Sequence, residues 1–455
     1  MFSSKRVPTV AGGLGAVILL GLAANFAIGH QSGGHHGKPH GAKNVILFIG
    51  DGMGVSEVTA ARYYQYGAAG RMQMDRLPNT GYQTTWSLKP GFAPYKVDYD
   101  PDSASTATMW ATGEKTIDER LSQGPSSAEN VPGENLETVL EIARKQGKKT
   151  GNVSTAEITD ATPAALNSHI SLRGCQGPND TRTTCPTETK AAGGLGSIAE
   201  QTVDTRPDVV LGGGRNRWLQ PLAAGGTTNV IDYAKSKGYQ YVENASQLEA
   251  VKPGKPVLGL FHPSNMTTEW TGPIATLGDG VPAHRCTTTN RPATEPSLSA
   301  MTSKALSLLQ GDKDGFFLQV EGASIDKQDH AANACAQIGE TVAFDQAIGV
   351  ALDYQRRHPD TLVLVTADHS HTSQITAEDA SGNGNPTGYS DNLITRDDQV
   401  MRVSYATAGG LARPAAPPSQ QHTGAVVPIY GSGPGSRAIL GTTDHTDLFD
   451  ILLGR

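Results

Sequence analysis

The chain has 455 residues, which is long for one domain, although α/β folds with insertions reach this length. Its hydrophobic share of 37% and charged share of 18% are those of an ordinary globular protein. The formal net charge of −7 gives no basic surface for nucleic acid, so we expect no nucleic-acid partner. An anionic substrate would need a local positive field.

The N-terminal segment has the pattern of an export signal. Lys5 and Arg6 precede an apolar stretch over residues 10–28, and small residues follow, which predicts a signal peptide over residues 1–29. The stretch is long enough that an uncleaved membrane anchor stays an alternative. Residues 30–42 are rich in His and Gly and predict a flexible linker, whose histidines could also collect metal. We therefore expect a periplasmic or extracellular protein with a catalytic domain over residues 43–455.

Three apolar runs, each of strand length, end in metal-ligating side chains. The run 44–50 precedes Asp51, the run 316–320 precedes Glu321, and the run 361–367 precedes Asp368 and His369. A short segment after the second run adds Asp326, Lys327 and His330. Parallel strands joined by helical crossovers would bring these ends to one edge of a sheet. The pattern therefore predicts a multi-metal site.

Helical patterns alternate with these strands along the chain. This alternation predicts an α/β fold, a three-layer sandwich in which helices flank a central, mainly parallel sheet.

Two further segments carry candidate chemistry. Ser103 lies among small residues and could be a nucleophile, although Asp102 or Ser103 could equally be a simple helix N-cap. We expect no histidine near Ser103 to act as its base, so a metal would have to activate it. In the second segment, Thr162 as N-cap with Pro163 at the first position predicts a helix that runs on toward Arg173.

The candidate ligands divide by chemistry. Nitrogen and carboxylate ligands suit zinc, and these are His330, His369, His422, Asp326 and Asp368. All-oxygen ligands suit magnesium, and these are Asp51, Thr162 and Glu321. The guanidinium of Arg173 can hold two phosphoryl oxygens.

The four cysteines, Cys175, Cys185, Cys286 and Cys335, predict two disulfides in an exported chain. Pairing of nearest neighbours is the simplest of the three possible connectivities.

The ordered motifs FIGDGMG, DSASTAT, STAEITDATPAAL, QVEGASIDKQDHAA, VTADHSH and QHTG closely resemble those of bacterial alkaline phosphatases, from about residue 43 to the C-terminus. The resemblance implies a phosphate-monoester hydrolase with Ser103 as phosphorylated nucleophile and Arg173 as phosphate clamp. It implies two Zn²⁺ and one Mg²⁺ per chain, with the ligands in three sets: Asp326, His330 and His422; Asp51, Asp368 and His369; Asp51, Thr162 and Glu321. It also implies that Asp160 and Lys327 act through water, that neighbouring cysteines pair, and that the protein is a homodimer.

One position departs from the resemblance, because Asp100 stands three residues before Ser103 where the family usually has an aliphatic residue. The proline-rich tract at 414–418 leaves the loop that carries His422 undefined.

We expect seven further residues to be structural or surface residues and not ligands: His169, His262, His284, His358, His371, His445 and Asp329. Of these, His371 is the nearest to a supporting role in the site. Rival functions are a phosphodiesterase or sulfatase on a related core, and an exported phosphate-binding protein without turnover. Arg173 and Lys327 favour a dianionic monoester over the first, and a serine among metal ligands argues against the second.

Overall fold

A computed structural model describes residues 41–377, 388–405 and 419–455. The predicted export signal, most of the predicted linker and the tract at 414–418 lie outside these ranges. Both disulfides of the expected pairing are present, Cys175 with Cys185 and Cys286 with Cys335.

The strands of the described residues are numbered in chain order. They are β1 (Asn44–Gly50), β2 (Asn79–Thr84), β3 (Ser87–Leu88), β4 (Val97–Asp98), β5 (Lys149–Glu157), β6 (Val209–Gly213), β7 (Gln240–Val242), β8 (Val257–Leu260), β9 (Thr276–Leu277), β10 (Val281–His284), β11 (Phe316–Gly322), β12 (Thr361–Ala367), β13 (Ser373–Thr376), β14 (Tyr389–Ile394), β15 (Val400–Tyr405), β16 (Val427–Ser432) and β17 (Gly441–Asp444).

The helices follow the same order. They are α1 (Val55–Tyr66), α2 (Ser103–Thr112), α3 (Val139–Lys145), α4 (Ala161–Ala164), α5 (Pro178–Thr184), α6 (Ile198–Thr205), α7 (Arg215–Trp218), α8 (Val230–Ser236), α9 (Ala245–Ala250), α10 (Leu298–Leu309), α11 (Ser324–His330), α12 (Ala334–Arg357) and α13 (Asp447–Leu453), with short 3₁₀ turns at Met74–Arg76, Pro186–Glu188, Lys190–Ala192 and Ser436–Ile439.

The central sheet has ten strands in the order β17-β2-β16-β12-β1-β11-β5-β6-β8-β7. Its middle is parallel, because β1 pairs in parallel with both β11 and β12, and β11 pairs in parallel with β5. The antiparallel pairs of this sheet involve β16, which joins β12 to β2. The prediction of a mainly parallel central sheet is confirmed.

Strand β1 shows why the sheet is covered on both faces. Ile46 and Phe48 lie in one buried cluster with residues of α1, α10 and α12, whereas Leu47 and Ile49 lie in a second cluster with residues of α2, α3 and α13. Alternate side chains of a strand point to opposite faces, so an apolar run without interruption needs a helical layer on each side. The predicted three-layer sandwich follows directly.

A smaller sheet was not predicted from the sequence. It contains β10, β14, β15 and β13 in that order, with β9 paired to β14. Several of its strands are short and half exposed, and β10 contains Pro282, so they lack the apolar runs that mark a strand. Of the helices in the described ranges, none combines the length and apolar character needed to cross a membrane.

Candidate active site

The topology brings the predicted residues to one edge of the central sheet. Strands β12, β1, β11 and β5 lie side by side, and their carboxyl ends deliver the candidate ligands directly or through the following turn. The turn after β1 is tight, because Gly52 has φ +67° and a Cβ there would come 3.0 Å from the Cβ of Asp326. Its backbone N–H donates to Asp368 Oδ1 at 2.9 Å. The strand ends are thus tied to one another.

One ligand group consists of Asp51, Asp368 and His369, and we call it the Asp51 group. His369 Nε2 lies 3.3 Å from Asp368 Oδ2 and 3.5 Å from Asp51 Oδ1. All three side chains are buried. Asp368 Oδ2 has no hydrogen-bond partner among the described residues, which is costly for a buried carboxylate unless a cation binds it.

The second ligand group, the Asp326 group, consists of Asp326, His330 and His422, with His371 beside it. The Nε2 atoms of His330, His371 and His422 lie 3.3, 3.3 and 3.4 Å from Asp326 Oδ1. Three imidazoles therefore converge on one carboxylate oxygen, where only two were expected.

The hydrogen bonds made by Nδ1 distinguish the three candidate ligand histidines from His371. The Nδ1 atoms of His330, His369 and His422 face the backbone carbonyls of Gln420, Ser370 and Pro101, so each donates there and leaves an Nε2 lone pair for a metal. In His371 the roles of the two ring nitrogens are reversed, because Nδ1 accepts the N–H of Thr372 at 2.9 Å. Its Nε2 therefore carries the proton and lies 3.3 Å from Asp326 Oδ1.

The expectation that His371 stands outside the ligand set agrees with this tautomer. His371 lies beside a candidate ligand, and a supporting role in the site stays a prediction. The spacing of His369 and His371 in the DHSH motif was the signal for it.

The predicted magnesium ligands are Asp51, Thr162 and Glu321. Register places Ile49 beside Glu321, so Asp51 follows two residues beyond that pair. Thr162 lies on α4, which packs on β11 and β5. The Thr162 hydroxyl is buried and has no hydrogen-bond partner in the described part of the chain. Glu321 accepts a hydrogen bond from the hydroxyl of Ser154, a contact that sequence reasoning missed.

The electrostatics of these carboxyls point to a bound cation. Burial, and then repulsion by Asp368, Asp326 and Glu321, raises the pKa of Asp51 well above its usual value. Burial likewise raises the pKa of Glu321 to about 8. Buried carboxylates this close stay ionised at neutral pH only with positive charge among them. The donor sets present therefore fit zinc and magnesium.

Ser103 is the first residue of α2, is 2% exposed and faces the Asp51 group. Its Oγ lies 3.2 Å from His369 Nε2 and 3.5 Å from Asp51 Oδ1. A histidine does lie next to Ser103, because β12 carries His369 to this point from 266 residues away in sequence. His369 belongs to the Asp51 group, so the expectation that no histidine acts as the base of Ser103 stays a prediction. The start of a ten-residue helix also favours negative charge at this hydroxyl.

Arg173 is held by two carboxylates. Its NH1 donates to Asp102 Oδ2 at 3.2 Å and its NH2 to Asp160 Oδ1 at 2.9 Å. Each terminal nitrogen carries two N–H groups, so one on each is left for a ligand. Lys327 Nζ donates to Asp160 Oδ2 at 2.7 Å. Burial would raise the pKa of Asp160, but Lys327 and Arg173 lower it well below its usual value.

Asp102 has a double role that the sequence did not reveal. Its Oδ1 caps α2 by accepting the N–H of Ser105 at 2.9 Å, as the N-cap interpretation expects. Its other oxygen anchors Arg173. An acid immediately before a candidate nucleophile was the available signal.

One local prediction is wrong. The N-cap of α4 is Asp160, and not Thr162, because the Asp160 carboxylate accepts the N–H of Ala161 at 2.9 Å and the helix starts there. The helix ends at Ala164, so Arg173 lies on the irregular segment that follows and not further along a helix. This places Arg173 beside Asp160 in space.

The remaining histidines and Asp329 lie outside the two ligand groups, as expected. His169 contacts Glu141 at 3.1 Å, and the buried ring of His445 packs edge-on against Trp110. Asp329 is fully buried and is not a surface residue. His284 and Asp391 lie close to Cys335, but that sulfur is engaged in a disulfide and offers no ligand.

Comparison with known proteins identifies relatives over nearly the whole chain. The family model for alkaline phosphatase matches residues 42–416. The streptomycin-6-phosphate phosphatase of Streptomyces griseus is 45% identical over 461 residues, which is 98% of this chain and 97% of that protein. The alkaline phosphatase of Escherichia coli K12 is 45% identical over 418 residues, or 90% of this chain and 84% of that protein.

Solved structures support the fold. The alkaline phosphatase of Thermus thermophilus superposes with a TM-score of 0.66 at 22% identity, covering 94% of this chain and 95% of that chain.

Proposed function

Because this chain belongs to the alkaline phosphatase family, whose members hydrolyse phosphate monoesters, we propose that it does so with Ser103 as the nucleophile. The observation that carries this proposal is the position of the Ser103 hydroxyl, 3.2 Å from His369 Nε2 at the start of α2. The Ser103 oxygen attacks phosphorus and the bond to the ester oxygen breaks, which releases the alcohol and leaves a phosphoserine. Water then displaces the serine and releases inorganic phosphate.

Arg173 positions the phosphoryl group for both displacements. The carboxylates of Asp102 and Asp160 fix the plane of the guanidinium, so its two remaining N–H groups form a rigid fork. A fork of this kind holds two non-reacting oxygens of a phosphate and directs the third toward Ser103.

We assign the cofactors from the donor sets. Asp326, His330 and His422 would hold one Zn²⁺; Asp51, Asp368 and His369 would hold the second; Asp51, Thr162 and Glu321 would hold Mg²⁺. When bound, these ions stabilise negative charge on the attacking and leaving oxygens and on the phosphoryl group. His371 keeps Asp326 oriented for its ion.

Asp160 and Lys327 tune the site through water in this proposal. Their 2.7 Å pair fixes a positive Nζ next to the Arg173 clamp. Their charges would strengthen phosphate binding without direct contact with the phosphorus.

The stereochemical course tests the mechanism. Two displacements retain configuration at phosphorus, so a chiral thiophosphate monoester hydrolysed in isotopic water should give a product of retained configuration. Ser103→Ala should fold, bind metals and lose at least about a hundredfold in turnover. Its residual reaction should invert configuration, because water then attacks the ester directly. Inversion by the native enzyme would rule out the phosphoserine.

The rival functions are separated by matched substrates. We expect turnover of an aryl phosphate to exceed that of the corresponding diester and sulfate, because the Arg173 fork and Lys327 suit a dianion. A preference for the diester or the sulfate would favour the related hydrolases. Stoichiometric phosphate binding with no turnover of any ester would favour a binding protein.

We also propose that residues 1–29 direct export, that residues 30–42 form a linker and that residues 43–455 form the catalytic domain of a periplasmic or extracellular homodimer. N-terminal sequencing of the exported protein distinguishes a cleaved signal from a retained anchor. Light scattering after gel filtration gives the oligomeric state.

A further inference from the structure

The position of Asp100 is unusual for an enzyme that binds anions. Its side chain is exposed, and the residue lies three positions before Ser103. The carbonyl of the next residue, Pro101, accepts the Nδ1 proton of His422, so Asp100 lies beside the Asp326 group. A carboxylate at this position repels the phosphate that the site must bind.

In the described part of the chain, Asp100 lacks the ion pairs that neutralise its neighbours. Asp98 pairs with Lys89 at 3.1 Å, and Asp102 pairs with Arg173 at 3.2 Å. None of the described ion pairs includes Asp100. The negative charge of Asp100 therefore stays available to a ligand.

The segment 99–101 borders the ligand group that lies away from Ser103. His422 Nδ1 donates to the carbonyl of Pro101 at 3.1 Å. The carbonyl of Tyr99 packs on Gly424, where a Cβ would meet that oxygen at 2.0 Å, so a glycine allows the close approach. The Tyr99 side chain itself is 76% exposed.

In-line displacement decides which part of the substrate meets this segment. The leaving oxygen departs opposite the attacking one. Ser103 contacts the Asp51 group, so the alcohol departs on the side of the Asp326 group, which contains His422. The segment that carries Tyr99 and Asp100 therefore lies on the side of the alcohol part of the ester.

We propose that Asp100 and Tyr99 form a rim that selects phosphate monoesters of cationic alcohols, those that carry an ammonium or guanidinium group. Asp100 attracts the cation, and the exposed ring of Tyr99 offers it an aromatic face. The proposal rests on the proposed function, since it concerns the leaving group of the same reaction.

The kinetic test compares two esters of the same shape. Phosphocholine and 3,3-dimethylbutyl phosphate differ by a charged nitrogen in place of carbon. We expect the ratio of their kcat/KM values to fall about two- to fivefold in Asp100→Asn, the range of an exposed charge contact, and to recover in Asp100→Glu. Comparing one ratio between variants cancels the different intrinsic reactivities of the two esters. The matched control is Asp232→Asn, which removes an exposed charge on α8 and should leave the ratio at its native value.

A binding measurement tests whether the rim attracts a cation, independently of turnover. In Ser103→Ala, calorimetry should show tighter binding of 2-aminoethylphosphonate than of propylphosphonate. Adding Asp100→Asn should remove most of that difference, and adding Tyr99→Leu should reduce it. Raising the ionic strength should shrink it as well.

The outcomes separate this proposal from the proposed function. If Asp100→Asn hydrolyses 4-nitrophenyl phosphate but keeps the native ratio and the native phosphonate difference, the rim is overturned and the phosphatase stands. If the native protein hydrolyses none of these esters, the proposed function itself has failed.

Discussion

The Nε2 atoms of His330 and His422 lie 3.2 Å apart, and each is within 3.4 Å of Asp326 Oδ1. Both rings donate their Nδ1 protons to backbone carbonyls, so two nitrogen lone pairs face each other. Lone pairs at this distance repel unless a proton or a metal ion lies between them. The backbone of this chain thus holds the two rings in the form that zinc requires.

Metal removal should abolish activity. Chelation followed by gel filtration is expected to give an inactive protein, and zinc should restore most of the rate because it fills both nitrogen-containing ligand sets. Magnesium should add the remainder through the all-oxygen set. Elemental analysis of the same samples should show a metal content that rises to two zinc ions and one magnesium ion per chain. Full activity in protein shown to be free of metal would contradict the assignment.

His371→Ala should weaken zinc binding without removing a ligand. The substitution deletes the imidazole whose Nε2 lies 3.3 Å from Asp326 Oδ1, and loss of a partner that orients a metal ligand usually costs about 10- to 100-fold in metal affinity. Competition with a chromophoric chelator measures this, and saturating zinc should restore the native stoichiometry.

His330→Ala is the matched comparison for that variant, because it removes a ligand and should lose one zinc even at saturation. If His371→Ala also lost one full equivalent at saturating zinc, His371 would be a direct ligand.

Lys327→His should weaken inhibition by inorganic phosphate by about tenfold, corresponding to ~1.4 kcal/mol, near the lower end for a charged hydrogen bond. The variant loses the positive Nζ that pairs with Asp160 at 2.7 Å and replaces it with a group that titrates near neutrality. The pH–rate profile should shift, and activity should depend more strongly on added magnesium. Loss of zinc from this variant would show that Lys327 supports the metal ligands directly.

Glu340, which lies on α12 and outside both ligand groups, should make the fold less stable as pH rises. Burial raises its pKa to about 8 in the folded chain, although it accepts the N–H of Glu269 at 2.7 Å. The unfolded chain releases the proton near pH 4.3. Between these values the folded state binds more protons, so stability falls with increasing pH and levels off above about 8.

Glu340→Gln should remove this dependence, because the amide stays neutral and its oxygen can still accept the Glu269 N–H. Thermal unfolding at pH 5 and pH 9 tests it. The melting temperature of the variant, relative to the native protein, should be higher at pH 9 than at pH 5. An equal difference at both pH values would mean that Glu340 is ionised in the native fold.

The parts of the fold that could be predicted are those with local signals. The bounds of β1 and β12 match the predicted runs, because an unbroken apolar segment between polar residues has few alternatives to a buried strand. The grouping of the ligands could also be predicted, because ligands bind at the carboxyl ends of parallel strands in α/β sheets, whatever the side-chain contacts.

The errors came from contacts between residues distant in sequence. The sequence near Ser103 does not indicate that His369 lies beside it, because His369 comes from the end of β12, 266 residues away. The helix start at Thr162 was misassigned because both Asp160 and Thr162 can cap, and the local sequence does not show that Asp160 also binds Arg173 and Lys327. The role of His371 depends on which ring nitrogen accepts a backbone N–H, and the local sequence does not specify this.

The most direct test of the central claim is to locate the phosphate on the enzyme. Holoenzyme mixed with excess aryl phosphate, quenched in acid and digested should yield a phosphorylated peptide that fragments with the phosphate on Ser103. Ser103→Ala treated in the same way should yield none. Phosphate on Ser105, whose hydroxyl contacts Asp118 at 3.0 Å, or a labelled peptide from the Ser103→Ala variant, would contradict the assignment of Ser103 as the nucleophile.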